Sequence, residues 1–147
     1  MKIVMMAVAA ALLAVPAMAQ EPAPVPLQVE IPELPTATAD PGCGGKPAIA
    51  QRAFCVSTTQ AGIGALVDAY SEAFSLQGWQ AGGGSENLIV YLRPRPTEGC
   101  DGFQMLAFSD DGREAAPAAP AYLAFAAIPG VVACFDRPRL APEPAAQ

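Results

Sequence analysis

Two tripeptides, Arg93-Pro94-Arg95 and Arg137-Pro138-Arg139, hold four of the eight basic residues of this chain. Each follows a stretch rich in β-formers. If those strand ends share one sheet edge, their guanidiniums form a patch suited to carboxylate or phosphate groups, which a planar guanidinium binds in bidentate fashion. Arg and Pro at strand ends also have an ordinary use, because they discourage edge-to-edge pairing.

The acids available for paired-carboxylate chemistry are Glu86, Glu98, Asp101, Asp110 and Asp111. In glycoside hydrolysis one carboxyl is kept protonated and a second stays ionised. All of these except Glu86 fall in turn-like segments, where solvated acids are common. The chain contains no histidine, which excludes Ser-His-Asp and Cys-His nucleophile systems and any histidine metal site. Gly-x-Ser-x-Gly is absent. Gly82-Gly83-Gly84-Ser85 lacks the Gly-Lys-Ser/Thr that completes a phosphate loop, and Asp110-Asp111-Gly112 lacks the later ligands of a calcium loop. The sequence therefore assigns no catalytic, cofactor or metal residue.

Four cysteines remain, Cys43, Cys55, Cys100 and Cys134. An even number in an exported chain reads as two disulfides. Of the three possible pairings, Cys43 with Cys55 and Cys100 with Cys134 closes loops of modest length. No Cys-x-x-Cys is present for redox chemistry, and the spacing lacks the paired short intervals of a zinc site.

Export is read from residues 1–19, a signal peptide in pattern. Lys2 is followed by an apolar run from Ile3 to Val15, and Ala17-Met18-Ala19 is an Ala-x-Ala cleavage site before Gln20. The run is shorter than the ~20 residues that span a bilayer, and no second stretch of that length follows. The product is expected to be periplasmic or secreted, without a membrane span. The full chain carries a net charge of −6, and loss of Lys2 makes it more negative. Such a chain has no general attraction for nucleic acid or anionic lipid.

The elements that must position these residues divide into four segments. After the signal, residues 20–41 are a Pro-rich acidic leader, extended or disordered, since Pro removes donors and holds extended geometry. The leader is a spacer, a docking peptide, or a strand pairing with the protein's own sheet through Val25, Leu27, Val29, Ile31 and Leu34. Residues 42–136 form one small domain, and residues 137–147 a disordered Pro/Ala tail.

Within the domain, the spacing predicts a helix from about Thr58 to Gln77. Ser57-Thr58-Thr59-Gln60 has the pattern of a capping box, and Ile63, Leu66, Val67, Tyr70, Ala73 and Phe74 make an apolar stripe. Gly78 stands where a left-handed residue ends a helix in a Schellman cap, which puts Trp79 against the helix end. Gly82 to Ser85 reads as a flexible connection. Leu88 to Leu92 and Phe103 to Phe108 read as strands. Residues 121–128 suit a short helix, from Pro120 and the alanines, or a strand, from Tyr122, Leu123, Phe125 and Ile128; the strand is favoured because Pro129-Gly130 is a turn pair and Val131 to Phe135 is β-like, which makes Ala121 to Phe135 two more strands.

The resulting expectation is an α+β domain, one amphipathic helix packed on an antiparallel sheet of three to four strands and braced by disulfides. Its expected role is that of a non-catalytic binding or accessory domain of the bacterial cell envelope, meeting an envelope protein or anionic envelope component. A carboxylate-based enzyme acting on a glycan or wall polymer and a small protein inhibitor are the alternatives.

Overall fold

The computed structural model describes residues 26–134. The signal segment 1–19, the tail 137–147 and the start of the leader lie outside the described residues. The strands are β1 (Thr38–Ala39), β2 (Phe54–Thr59), β3 (Gln80–Ser85), β4 (Leu88–Pro94), β5 (Cys100–Ser109) and β6 (Pro120–Val132). A 3-10 turn (Cys43–Gly45) and the short helix α1 (Pro47–Ala50) separate β1 from β2, and the longer helix α2 (Ile63–Leu76) separates β2 from β3. The strands form one sheet in the order β1-β2-β6-β5-β4-β3, antiparallel throughout. The class is α+β, but the sheet has six strands rather than three to four, and two helices stand where one was expected.

Each discrepancy has a local cause. Gly82-Gly83-Gly84 is not a loop: it belongs to β3, which pairs with β4 around the two-residue Glu86-Asn87 connection. Gly84 adopts φ +143° and packs so closely that an added Cβ would strike the Leu88 carbonyl. Pairing with a strand rich in β-formers here overrides the weak strand preference of glycine.

Pro129-Gly130 likewise does not divide Ala121 to Phe135 into two strands. It lies within β6, where the ladder passes from Gly102↔Ile128 to Cys100↔Val132, so extra residues bulge out of β6 while the strand continues. Proline is tolerated at such a bulge because it owes no ladder hydrogen bond there. At the other edge, the end of the leader contributes β1, paired to β2 through Thr38↔Ser57 and Ala39↔Val56.

The helix begins later than its sequence pattern indicated. Ser57, Thr58 and Thr59 belong to β2 and pair with Tyr122, Ala121 and Pro120, so the capping box does not form. The Gln60 side chain instead accepts from the Ala116 N–H at 3.2 Å. Gly62 is the N-cap, and its N–H donates to Thr59 Oγ1.

The helix end follows the Schellman pattern. Trp79 N–H donates to Phe74 C=O and Gly78 N–H to Ser75 C=O, both at 3.0 Å, while Gly78 takes φ +85°.

The stripe on α2 covers one face of the sheet. Leu66, Tyr70 and Phe74 are buried against Val56, Tyr91, Phe103, Met105, Leu123 and Phe125, with Ile63 and Val67 beside them. Phe74 sits at the centre, edge-on to Tyr91, Phe103 and Phe125 at centroid distances of 5.3, 5.0 and 5.8 Å. A smaller cluster contains Cys43, Cys55 and Ala124, with Ile49, Leu106 and Phe108 packed on it. Strand alternation separates the clusters: on β6, Leu123 and Phe125 join the first and Ala124 the second.

Two disulfides join Cys43 to Cys55 and Cys100 to Cys134, the pairing that loop length favours. Leader residues 26–37 lie as a strap on the main core, with Val29 buried and Leu27, Ile31 and Leu34 packed there. The Gln77 side chain grips the strap backbone at Glu30 from both sides, accepting from its N–H at 3.1 Å and donating to its C=O at 2.8 Å. Among the described residues, no helix is long and apolar enough to cross a membrane.

Candidate functional site

The end of β4 carries Arg93 and Arg95. Arg93 faces the helix side of the sheet, and its guanidinium carbon lies 4.3 Å from the centroid of the Trp79 ring. Trp79 is placed there by the left-handed turn at Gly78, which carries the chain from α2 into β3. Phe103 meets the indole edge-on at 4.8 Å, so the ring is held between a cation and an aromatic edge.

Arg95 lies beyond the end of the ladder. Its N–H donates to Gly99 C=O at 3.0 Å, closing the β4–β5 connection, and its Nε pairs with Asp101 Oδ1 at 3.1 Å. Arg93 and Arg95 thus reach one end of the sheet, each engaged with a neighbour. Arg137 and Arg139 lie outside the described residues.

Beside this pair opens a cleft of about 250 Å³. Trp79, Phe103 and Ala127 form its apolar wall, Arg95 and Asp101 its charged side, the Gly130-Val131 bulge its rim, and Pro26 and Gln28 of the strap its remaining wall; the Ile128 side chain lies on the other face of the sheet, beside Gly102. Trp79 is 3% exposed, and its Nε1–H is shut off from solvent with no acceptor among the described residues. A buried donor in that condition costs about 1–3 kcal/mol relative to a paired one.

Five sequence candidates for acid chemistry are distributed along the molecule. Asp101 lines the cleft. Asp110 pairs with Arg113 at 3.2 Å and accepts from the Gly112 N–H, while Asp111 pairs with Lys46 at 3.2 Å. These two follow the far end of β5, a strand of ten residues, which puts them about 30 Å along the chain from Asp101. Two carboxyls acting on one glycosidic bond stand about 5–10 Å apart. Glu86 is in the exposed β3–β4 connection and Glu98 in the exposed β4–β5 connection.

All four cysteines are in disulfides. No group of three or more potential metal ligands occurs among the described residues.

A second concavity of about 550 Å³ lies between the strap and the β1–β2 edge, lined by Ile31, Leu34, Pro35, Phe54, Val56 and Tyr70. Apart from Glu33 its lining has no charged side chain, so the convergent polar groups are in the smaller cleft.

Sequence reasoning placed Arg93 and Arg95 but missed Trp79, Asp101 and Gln28 as their neighbours. Trp79 was visible as the sole tryptophan, and its cap position said that it turns inward. That its indole N–H would be buried without an acceptor among the described residues depends on how the rest of the fold packs on it. No family model matches the chain, and neither the curated proteins nor the solved structures give a match.

Proposed function

We propose that this protein is a non-catalytic binding or accessory domain exported to the bacterial cell envelope, and that the cleft beside Trp79 is its binding element. The observation that carries the proposal is the convergence of the Trp79 ring, an Arg95–Asp101 pair and an apolar wall in one concavity. Small-ligand sites have this composition, a mostly apolar surface with a few polar groups that set orientation. Export rests on the signal pattern of residues 1–19 and agrees with a domain that has every cysteine in a disulfide. Of the five candidate acids only Asp101 lines the cleft, which favours binding over paired-carboxylate catalysis.

The test is a ¹H–¹⁵N spectrum of the exported protein titrated with soluble fragments of envelope polymer. Binding predicts saturable shifts concentrated at the Trp79 indole, Gly102, Phe103 and Ile128. Absence of shifts there removes the cleft as the binding element, and turnover of the fragments replaces the proposal with the enzyme alternative. The intact mass of the exported product tests localisation: it should begin at Gln20.

A further inference from the structure

The two edges of the sheet are finished differently. At one edge β1 is two residues long, Thr38–Ala39, and lies between Pro35 and Pro41, so it offers a further strand almost no backbone to pair with. At the other, β3 runs for six residues, all of them exposed, and pairs only with β4 among the described residues. The backbone N–H and C=O groups that turn away from β4 have no ladder there. β3 carries neither charge nor proline, the residues that ordinarily keep an edge from being extended. Its one register shift, between Ala81 and Gly83, leaves Gly83 to Ser85 in continuous pairing.

We infer that β3 is a homodimer interface, at which two copies of this chain pair β3 to β3, antiparallel, about a two-fold axis through the middle of the strand. In strand addition the main-chain hydrogen bonds supply attraction, while pockets for alternate side chains supply the choice of partner. Gly82, Gly83 and Gly84 have no side chains to build such pockets, so the edge has no means of reading a foreign peptide. A copy of β3 is instead selected by its ends.

At those ends stand opposite charges that the rest of the fold does not match. Among the described residues Lys46, Arg95 and Arg113 are each in an ion pair, whereas Arg93 reaches over the Trp79 ring and meets no carboxylate. Glu86, directly after β3, is exposed and meets no cation among them. Gln80 pairs with Leu92, so Arg93 stands beside the start of β3 and Glu86 just past its end. Antiparallel pairing sets the start of one β3 against the end of the other. Each Glu86 then comes within two strand spacings, about 10 Å between backbones, of Arg93 in the second copy, a gap that their two long side chains close. The two-fold makes this contact twice. Because the β1 edge is closed, pairing stops at two copies and does not run on into a fibre.

Sedimentation equilibrium of the exported chain, with amide exchange followed in ¹H–¹⁵N spectra over a concentration series reaching about 1 mM, is the test. A monomer–dimer equilibrium is expected, in which the outward amides between Gly82 and Ser85 exchange more slowly as the dimer fraction rises. Ala81→Lys puts a charge on the edge and should abolish the dimer. Glu86→Lys turns two exposed ion pairs repulsive and should weaken it about tenfold, with unchanged far-ultraviolet spectra confirming the fold of both variants. Neither residue lines the cleft, so failure of the dimer leaves the proposed binding element standing. A chain that stays monomeric throughout the series overturns the interface. So does a dimer whose β3 amides exchange as in the monomer, since another surface then holds it. Amides protected equally at every concentration overturn it too, since a strand of the same chain then fills the edge, as does an Ala81→Lys variant that dimerises like the parent.

Discussion

The Arg93 guanidinium lies over the Trp79 ring, 4.3 Å from its centroid, and covers the residue that ends α2 and begins the descent into β3. One contact therefore joins the helix cap, the β4 end and the cleft wall. Arg93→Ala should lower stability by about 1 kcal/mol, between exposed and desolvated cation–π contacts, and Arg93→Lys by less. Trp79 is the sole tryptophan, so its fluorescence reports the change directly. An emission spectrum unaltered by Arg93→Ala would show that the cation does not cover the ring in solution.

Two glycines with positive φ should respond differently to Ala. At Gly78 a Cβ would meet only Arg93 Cδ, at 3.8 Å. The cost is thus conformational, about 1–2 kcal/mol for an L residue in the left-handed region. At Gly84 a Cβ would also strike the Leu88 backbone, which cannot swing aside. Gly84→Ala should be the more damaging, through loss of the β3–β4 hairpin, and urea unfolding of both variants checks the order.

The disulfides should contribute unequally. Cys43–Cys55 spans 12 residues and Cys100–Cys134 spans 34, for which chain entropy gives about 3 and about 4 kcal/mol. Cys100→Ser with Cys134→Ser should therefore cost more than the Cys43 and Cys55 pair. The longer bridge also ties the β6 end to β5 beside the cleft, so its loss should alter Trp79 emission before global unfolding. Denaturant melts of the two double variants, followed by circular dichroism and fluorescence, test both statements.

Alkaline pH should weaken the fold through two phenols. Burial raises the pKa of Tyr70 and Tyr91 above their ordinary value, and the Ser71 hydroxyl bond to Tyr91 at 2.7 Å only partly offsets this. The unfolded chain releases these protons near pH 10 while the folded one retains them. Their contribution is thus complete below about pH 10 and lost as pH rises through the folded values. Stability should fall above about pH 10, and less steeply in Tyr91→Phe. Tyrosinate absorbance during an alkaline titration, with melts at each pH, is the check.

The sequence by itself determined the features that depend on near neighbours in the chain. The stripe on α2, the Gly78 turn that sends Trp79 inward, the disulfide pairing and the Leu88 to Leu92 strand are written in residues a few positions apart, or in loop lengths. Tertiary structure alone decided the rest. Three consecutive glycines became β3 because β4 offered a ladder, and Pro129-Gly130 became a bulge because β5 continued beside it. Ser57 to Thr59 are strand and not helix because β6 pairs with them. The cleft belongs to this second group: Gln28, Trp79, Arg95 and Asp101 are brought together only by the strap and by the β4–β5 ladder. Hydrogen-bonding partners so far apart in the chain are selected by which surfaces pack, and local periodicity carries no record of that choice.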